Sequence, residues 1–144
     1  MTLRRETRAR ARALQLLYAW ETTGHELNSL ITGIARLTGP EPTVLDQAES
    51  LARGVIAERE RLDQLLATAT DNWRVERLGL VDRNILRLAT FELANPEWRG
   101  ASDCVRPKTA IDEALWLAHR FGTPQSPAFV NGVLDRIART LGRL

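Results

Sequence analysis

Apolar residues recur every three or four positions along almost the whole chain, and the strict alternation of a strand is almost absent. In "RRETRARARALQLLYAW", residues 4–20, a turn of about 100° per residue puts Ala9, Ala13, Leu16, Leu17 and Trp20 on one face. This predicts a helix over residues 4–22 that ends near Gly24. A second helix is expected from His25 to Leu37, with Leu27, Leu30, Ile31 and Ile34 as its apolar side. After the turn "TGPEP", Thr43 is the expected N-cap of a helix, because Asp46 three residues on suits a capping box. Val44, Ala48, Leu51, Val55, Ile56, Leu62, Leu65 and Leu66 carry one period as far as Thr70, with Gly54 inside it.

"DNW" at 71–73 breaks the pattern. The next helix has Leu78, Val81, Ile85, Leu88 and Leu93 inward, and "NPEWRGASDCVRP" follows as the longest irregular stretch. Pro107 fits the first turn of another helix, with Ile111, Ala114, Leu115 and Ala118 inward and Gly122 as its stop. Ser126 before Pro127 fits the start of the last one. The expected fold class is therefore all-α. The chain reads as a single domain over 1–144 of six to seven helices, arranged as two small packed bundles. Trp73 and its neighbours divide it into an N-terminal subdomain, 1–70, and a C-terminal subdomain, 71–144.

Charge changes this picture at one place. The whole chain carries a formal charge of only +2, yet the first helix packs Arg4, Arg5, Arg8, Arg10 and Arg12 against one acid, Glu6. Arg4, Arg5, Arg8 and Arg12 share one stripe with Gln15 beside it, Tyr18 borders it, and Arg10 lies apart. A stripe of guanidinium forks suits phosphate, which Arg grips through paired N–H bonds; it also suits a solvated helix face. Its position counts against the second reading, because the macrodipole disfavours cations in a first helical turn. Tyr18 is either a stacking ring for an unpaired base or a half-buried ring at the core edge. Phe129 is likewise either core or an exposed ring.

The remaining candidates for chemistry are sparse. Cys104 is the single cysteine, and His25 and His119 are far apart, so no disulfide and no metal-ligand spacing is expected. No cofactor is expected. No apolar run approaches the roughly 20 residues of a membrane span, and the N-terminus lacks a signal-peptide core, so a cytoplasmic protein is expected. No nucleophile, acid and base are grouped as catalysis requires, and Asp112 and Glu113 read as a solvated face. Asn131 is expected to hydrogen-bond across a helix junction. Gly132 stands in a helix interior, where it costs about 1 kcal/mol relative to Ala, and a close backbone contact is the expected reason.

"ARALQLLYAWE", "LVDRNILRLATFEL" and "PKTAIDEALWLAHRFGTPQSPAFVNGVLDRIA" together resemble the NusB family of transcription antitermination factors, in the right order and over nearly the whole chain. The resemblance implies a fold of two helical bundles and no enzymatic activity. It implies binding to the boxA element of ribosomal RNA leader transcripts, together with the small-subunit ribosomal protein NusE. Beyond these it implies assembly with NusA, NusG and RNA polymerase, which favours processive rRNA transcription. On the family's pattern the RNA surface takes in Arg4, Arg5, Arg8 and Arg10, with Arg12 on the same helix, and the rings of Tyr18 and Phe129. Glu76 and Asp82 match acidic positions near the RNA and the ribosomal-protein interface. The chain departs from the pattern at Gln125, where family members often carry an acid, and in "NPEWRGASDCVRP", which is longer than usual.

Two rivals come from other classes. The same fold forms the RNA-binding module of an RNA cytosine methyltransferase family, which demands a catalytic domain after residue 144; "RTLGRL" reads instead as a helix end. The other is a structural homo-oligomer, in which a homodimer covers the arginine face.

Overall fold

The computed structural model describes residues 3–39, 41–71 and 74–144. Among these it contains seven α-helices and one 3-10 turn, with no strand. The chain forms two compact units, residues 1–57 and 58–144.

The first unit holds α1 (Arg5–Thr23), α2 (Leu27–Thr38) and α3 (Pro42–Ala57). Helix α1 packs chiefly on α3. Each buries alanines along with larger groups: Ala9, Ala13, Leu16 and Leu17 on α1, Ala48, Ala52, Leu51 and Val55 on α3. Small side chains at four-residue spacing let two helix axes approach closely. Gly24 ends α1 at φ 72°, where its N–H donates to the Trp20 carbonyl; a side chain there would be strained. Helix α2 fully buries only Leu27, and Leu37 near its end is 87% exposed. Thr43 is not a cap, because α3 already begins at Pro42.

The second unit holds α4 (Arg59–Ala69), the 3-10 turn Val75–Arg77, α5 (Leu80–Ala94), α6 (Pro107–Phe121) and α7 (Ser126–Thr140). Helix α5 is its axis: every residue from Arg83 to Leu93 is buried, and α4, α6 and α7 all pack on it. A helix enclosed on all sides must satisfy its own polar groups. Arg87 Nε and Nη2 donate to the two Asp63 carboxylate oxygens on α4 at 2.8 and 2.9 Å. Arg83 Nη1 donates to the Val75 and Leu78 carbonyls, which holds the 3-10 turn.

These bonds move the expected boundary. The apolar period runs unbroken from Val44 to Thr70, but the helix breaks at Glu58 (φ −103°, ψ 13°), where no glycine or proline marks it. Helix α4 then belongs with α5 and α7, so the compact units part after Ala57 rather than after residue 70. Trp73, expected to mark the division, lies outside the described residues.

The stretch from Asn95 to Arg106 is irregular but tied down. Trp98 Nε1 donates to Glu92 Oε1 at 3.0 Å, Val105 N–H donates to the Pro96 carbonyl at 2.9 Å, and Val105 itself is buried. Two details of the next helices differ from expectation. The inward face of α6 is Ala110, Glu113, Ala114, Leu117 and Ala118, so Glu113 is buried rather than solvated, while Asp112 is exposed and pairs with Lys108 at 3.1 Å. Ser126 is the first residue of α7 rather than its cap; its buried hydroxyl accepts from the Thr123 N–H at 2.9 Å. That hydroxyl fixes Gly122, where an added Cβ would meet Ser126 Oγ at 2.6 Å and the Ala118 carbonyl oxygen at 2.7 Å.

Candidate nucleic-acid interface

In the first unit, helix α1 displays the predicted stripe in a graded way. Arg4 immediately precedes the helix in extended conformation, and Arg4 and Arg5 are exposed. Arg8 is half-buried: Nη2 donates to Glu41 Oε2 at 2.8 Å and Nη1 to the Leu3 carbonyl. Arg12 is half-buried and donates to Gln15 Oε1 at 3.0 Å. Arg8 and Arg12 are thus held in place by neighbours, and Arg4 and Arg5 extend into solvent. Arg10 is different. It is 3% exposed, so it belongs to the interior and offers no surface to a strand, a correction to its place among the expected RNA contacts. Its angular position explains this: it lies off the stripe, on the side that carries Thr7 and Leu14, both buried. Tyr18 is 44% exposed and lies about 21 Å along the axis from Arg4, at 1.5 Å per residue.

In the second unit, Phe129 on α7 is 37% exposed. Tyr18 and Phe129 are the exposed aromatic rings among the described residues. Phe129 borders a groove of about 470 Å³ that is also lined by Leu78, Gly132 and Val133, with Arg77 and Arg136 among the lining residues. Arg136 Nη1 donates to the Ala69 carbonyl at 3.0 Å and lies 3.6 Å from Asp71. Glu76 is exposed on the 3-10 turn. Asp82 is half-buried in the first turn of α5, where a carboxylate is favoured by the helix dipole.

The first unit therefore carries Arg5, Arg8, Arg12 and Tyr18 on one helix with Arg4 just before it, while Phe129, Glu76 and Asp82 belong to the second. Asn131 is exposed on α7 rather than sealing a helix junction. Gly132 is also exposed, and an added Cβ there meets nothing within 4 Å, so the expected close packing is absent. Arg77 and Arg136 were not among the sequence candidates; the groove brings them together. Among the described residues no cluster of His, Cys, Asp and Glu is suited to a metal ion, and no helix is long and apolar enough to cross a membrane.

Comparison with known proteins agrees with the sequence motifs. The sequence model of the NusB family matches residues 7–139. The transcription antitermination protein NusB of Anaeromyxobacter dehalogenans is 42% identical over 142 residues, covering 98% of this chain and 94% of the relative. The solved structure of T. maritima NusB is 33% identical and superposes with a TM-score of 0.80, covering 96% of this chain and 93% of that one. A NusB solved with NusE and double-stranded RNA is 24% identical, with a TM-score of 0.81 over 96% of this chain and 99% of that one, and shares the fold. This chain belongs to the NusB family, a family of transcription antitermination proteins and not of enzymes.

Proposed function

We propose that this protein binds boxA RNA of ribosomal RNA leader transcripts and acts with the small-subunit ribosomal protein NusE to promote processive rRNA transcription in the cytoplasm. The observation that carries the proposal is the exposed pair Arg4 and Arg5 at the start of α1, in line with Arg8 and Arg12. Cations in a first helical turn work against the dipole; a phosphate strand supplies the compensating charge. Tyr18 and Phe129 contribute exposed rings for unpaired bases, each worth about 1–3 kcal/mol by truncation. Glu76 and Asp82 form the acidic edge offered to NusE, and NusA, NusG and RNA polymerase join the assembly. The relative solved with NusE and RNA supports the partner classes.

A boxA oligonucleotide titrated at several salt concentrations tests this. If roughly four phosphates are neutralised, the log–log slope is near −3, from about −0.7 per contact on a single strand. A flat response, or undiminished binding after Arg4, Arg5 and Arg8 are together replaced by Gln, removes the stripe from the mechanism.

A homodimer that covers α1 is the second reading. It is favoured by Leu37, which is 87% exposed beside an apolar groove of Leu16, Ala19, Leu30 and Ile34. Light scattering with and without RNA distinguishes the two: a dimer that dissociates on RNA addition is a masked state, and a dimer indifferent to RNA opposes the first reading.

A further inference from the structure

Gly132 is the seventh residue of α7, deep inside a helix of 15 residues. Glycine there weakens the helix, and the fold gains nothing in return, because a Cβ at this position meets no atom within 4 Å. A glycine that no neighbour requires leaves backbone bare for something outside the chain. Its surroundings say what. Phe129 lies three residues before it and Arg136 four after it, so the ring, the bare backbone and the guanidinium follow one another along a single helix face. Phe129 and Arg136 are about 10 Å apart along the axis, the scale of one nucleotide. Arg77, from the 3-10 turn, lines the same groove, whose volume of about 470 Å³ fits a small-molecule-sized group rather than a protein segment.

We propose that this groove takes one nucleotide of the bound RNA strand. The base lies flat over Gly132 against the Phe129 ring, and its phosphate is drawn to Arg136 and Arg77. The proposal rests on the RNA-binding reading above and assigns to it three residues, Gly132, Arg77 and Arg136. Arg136 suits the role: one edge of its guanidinium is anchored on the Ala69 carbonyl, and its long, exposed pairing with Asp71 is weak enough to exchange for a phosphate. The site has two cations against one carboxylate among its lining residues, and so favours an anionic strand.

The test compares the wild-type chain with Gly132→Ala, Gly132→Leu and the double variant Arg77→Gln with Arg136→Gln, using a single-stranded boxA RNA oligonucleotide. Both glycine variants keep wild-type helicity and an unchanged or raised melting temperature, so a binding loss is not a folding loss. Gly132→Leu, which fills the floor, lowers RNA affinity at least tenfold, and Gly132→Ala lowers it less. Removing one base from the oligonucleotide at the contacted position weakens wild-type binding and leaves Gly132→Leu unaffected. The arginine double variant reduces the salt slope by about 0.7, the value for one phosphate contact on a single strand. If wild type binds RNA and Gly132→Leu binds it equally well, the groove proposal fails while the RNA-binding reading stands. If Gly132→Leu keeps RNA affinity but loses a protein partner, the occupant is that partner and the proposal fails. If wild type binds no RNA, both readings fall.

Discussion

Arg87 and Asp63 form a two-pronged ion pair, at 2.8 and 2.9 Å, that fastens α4 to the enclosed axis α5. The Arg87 side chain is almost wholly buried and Asp63 is partly open to solvent, so losing the carboxylate removes two bonds from a buried guanidinium. Asp63→Ala is expected to lower stability by about 2 kcal/mol, the range of bonds to a charged group moderated by the solvent access of Asp63. A urea midpoint measures the loss, and amide exchange in α4 rises ahead of that in α6. Unchanged α4 protection contradicts the assignment of this helix to the second unit.

The two glycines 122 and 132 are expected to answer the same substitution in opposite ways. Gly122→Ala forces a methyl group against the Ser126 hydroxyl and the Ala118 carbonyl, an overpacking that costs about 1–3 kcal/mol. Gly132→Ala meets open space and gains helix propensity of up to about 1 kcal/mol. Thermal melts of both single variants decide the matter; equal shifts of the same sign refute it.

Arg10 separates from its neighbours by its effect. Arg4→Gln with Arg5→Gln is expected to reduce the salt slope of RNA binding by about 1.4 and to leave stability within about 0.5 kcal/mol. Arg10→Gln disturbs an interior guanidinium, 3% exposed, and is expected to cost about 1–3 kcal/mol of stability with the slope unchanged. A slope that falls in Arg10→Gln returns this residue to the RNA surface.

Trp98→Phe keeps a ring and removes the indole N–H that reaches Glu92, a carboxylate 2% exposed. Leaving that buried acceptor one donor short is expected to cost about 1 kcal/mol and to loosen residues 95–106. Limited proteolysis reads the second effect as faster cleavage in this stretch; an unaltered digestion pattern means that the Val105 contacts hold it alone.

How much of this was legible in the sequence depended on whether the determining contact was local. The α1 stripe was legible because charge and helical period are both local properties, and even the burial of Arg10 was foreshadowed by its angle. The end of α1 at Gly24 and the start of α6 at Pro107 were legible because those residues restrict the backbone themselves. The break at Glu58 was not, since the apolar period passes through it and the cause is the distant attachment of α4 to α5. Glu113 was misread for a related reason: a carboxylate on an amphipathic helix looks solvated until its interior surroundings are known. Gly132 announced a cost in the sequence, but whether its bare side faced a neighbour or open space was a tertiary fact. Arg77 and Arg136 were single charges among many until the groove placed them together.

Helix α2 carries a consequence for how the first unit comes apart. With Leu27 its only fully buried residue, and with its other large side chains half-covered or in solvent, lifting it away sacrifices little apolar contact. Regions so lightly anchored open at a small fraction of the global unfolding free energy. On warming, α2 is expected to come away before α1 and α3, whose mutual packing is more extensive and keeps the arginine rim in register.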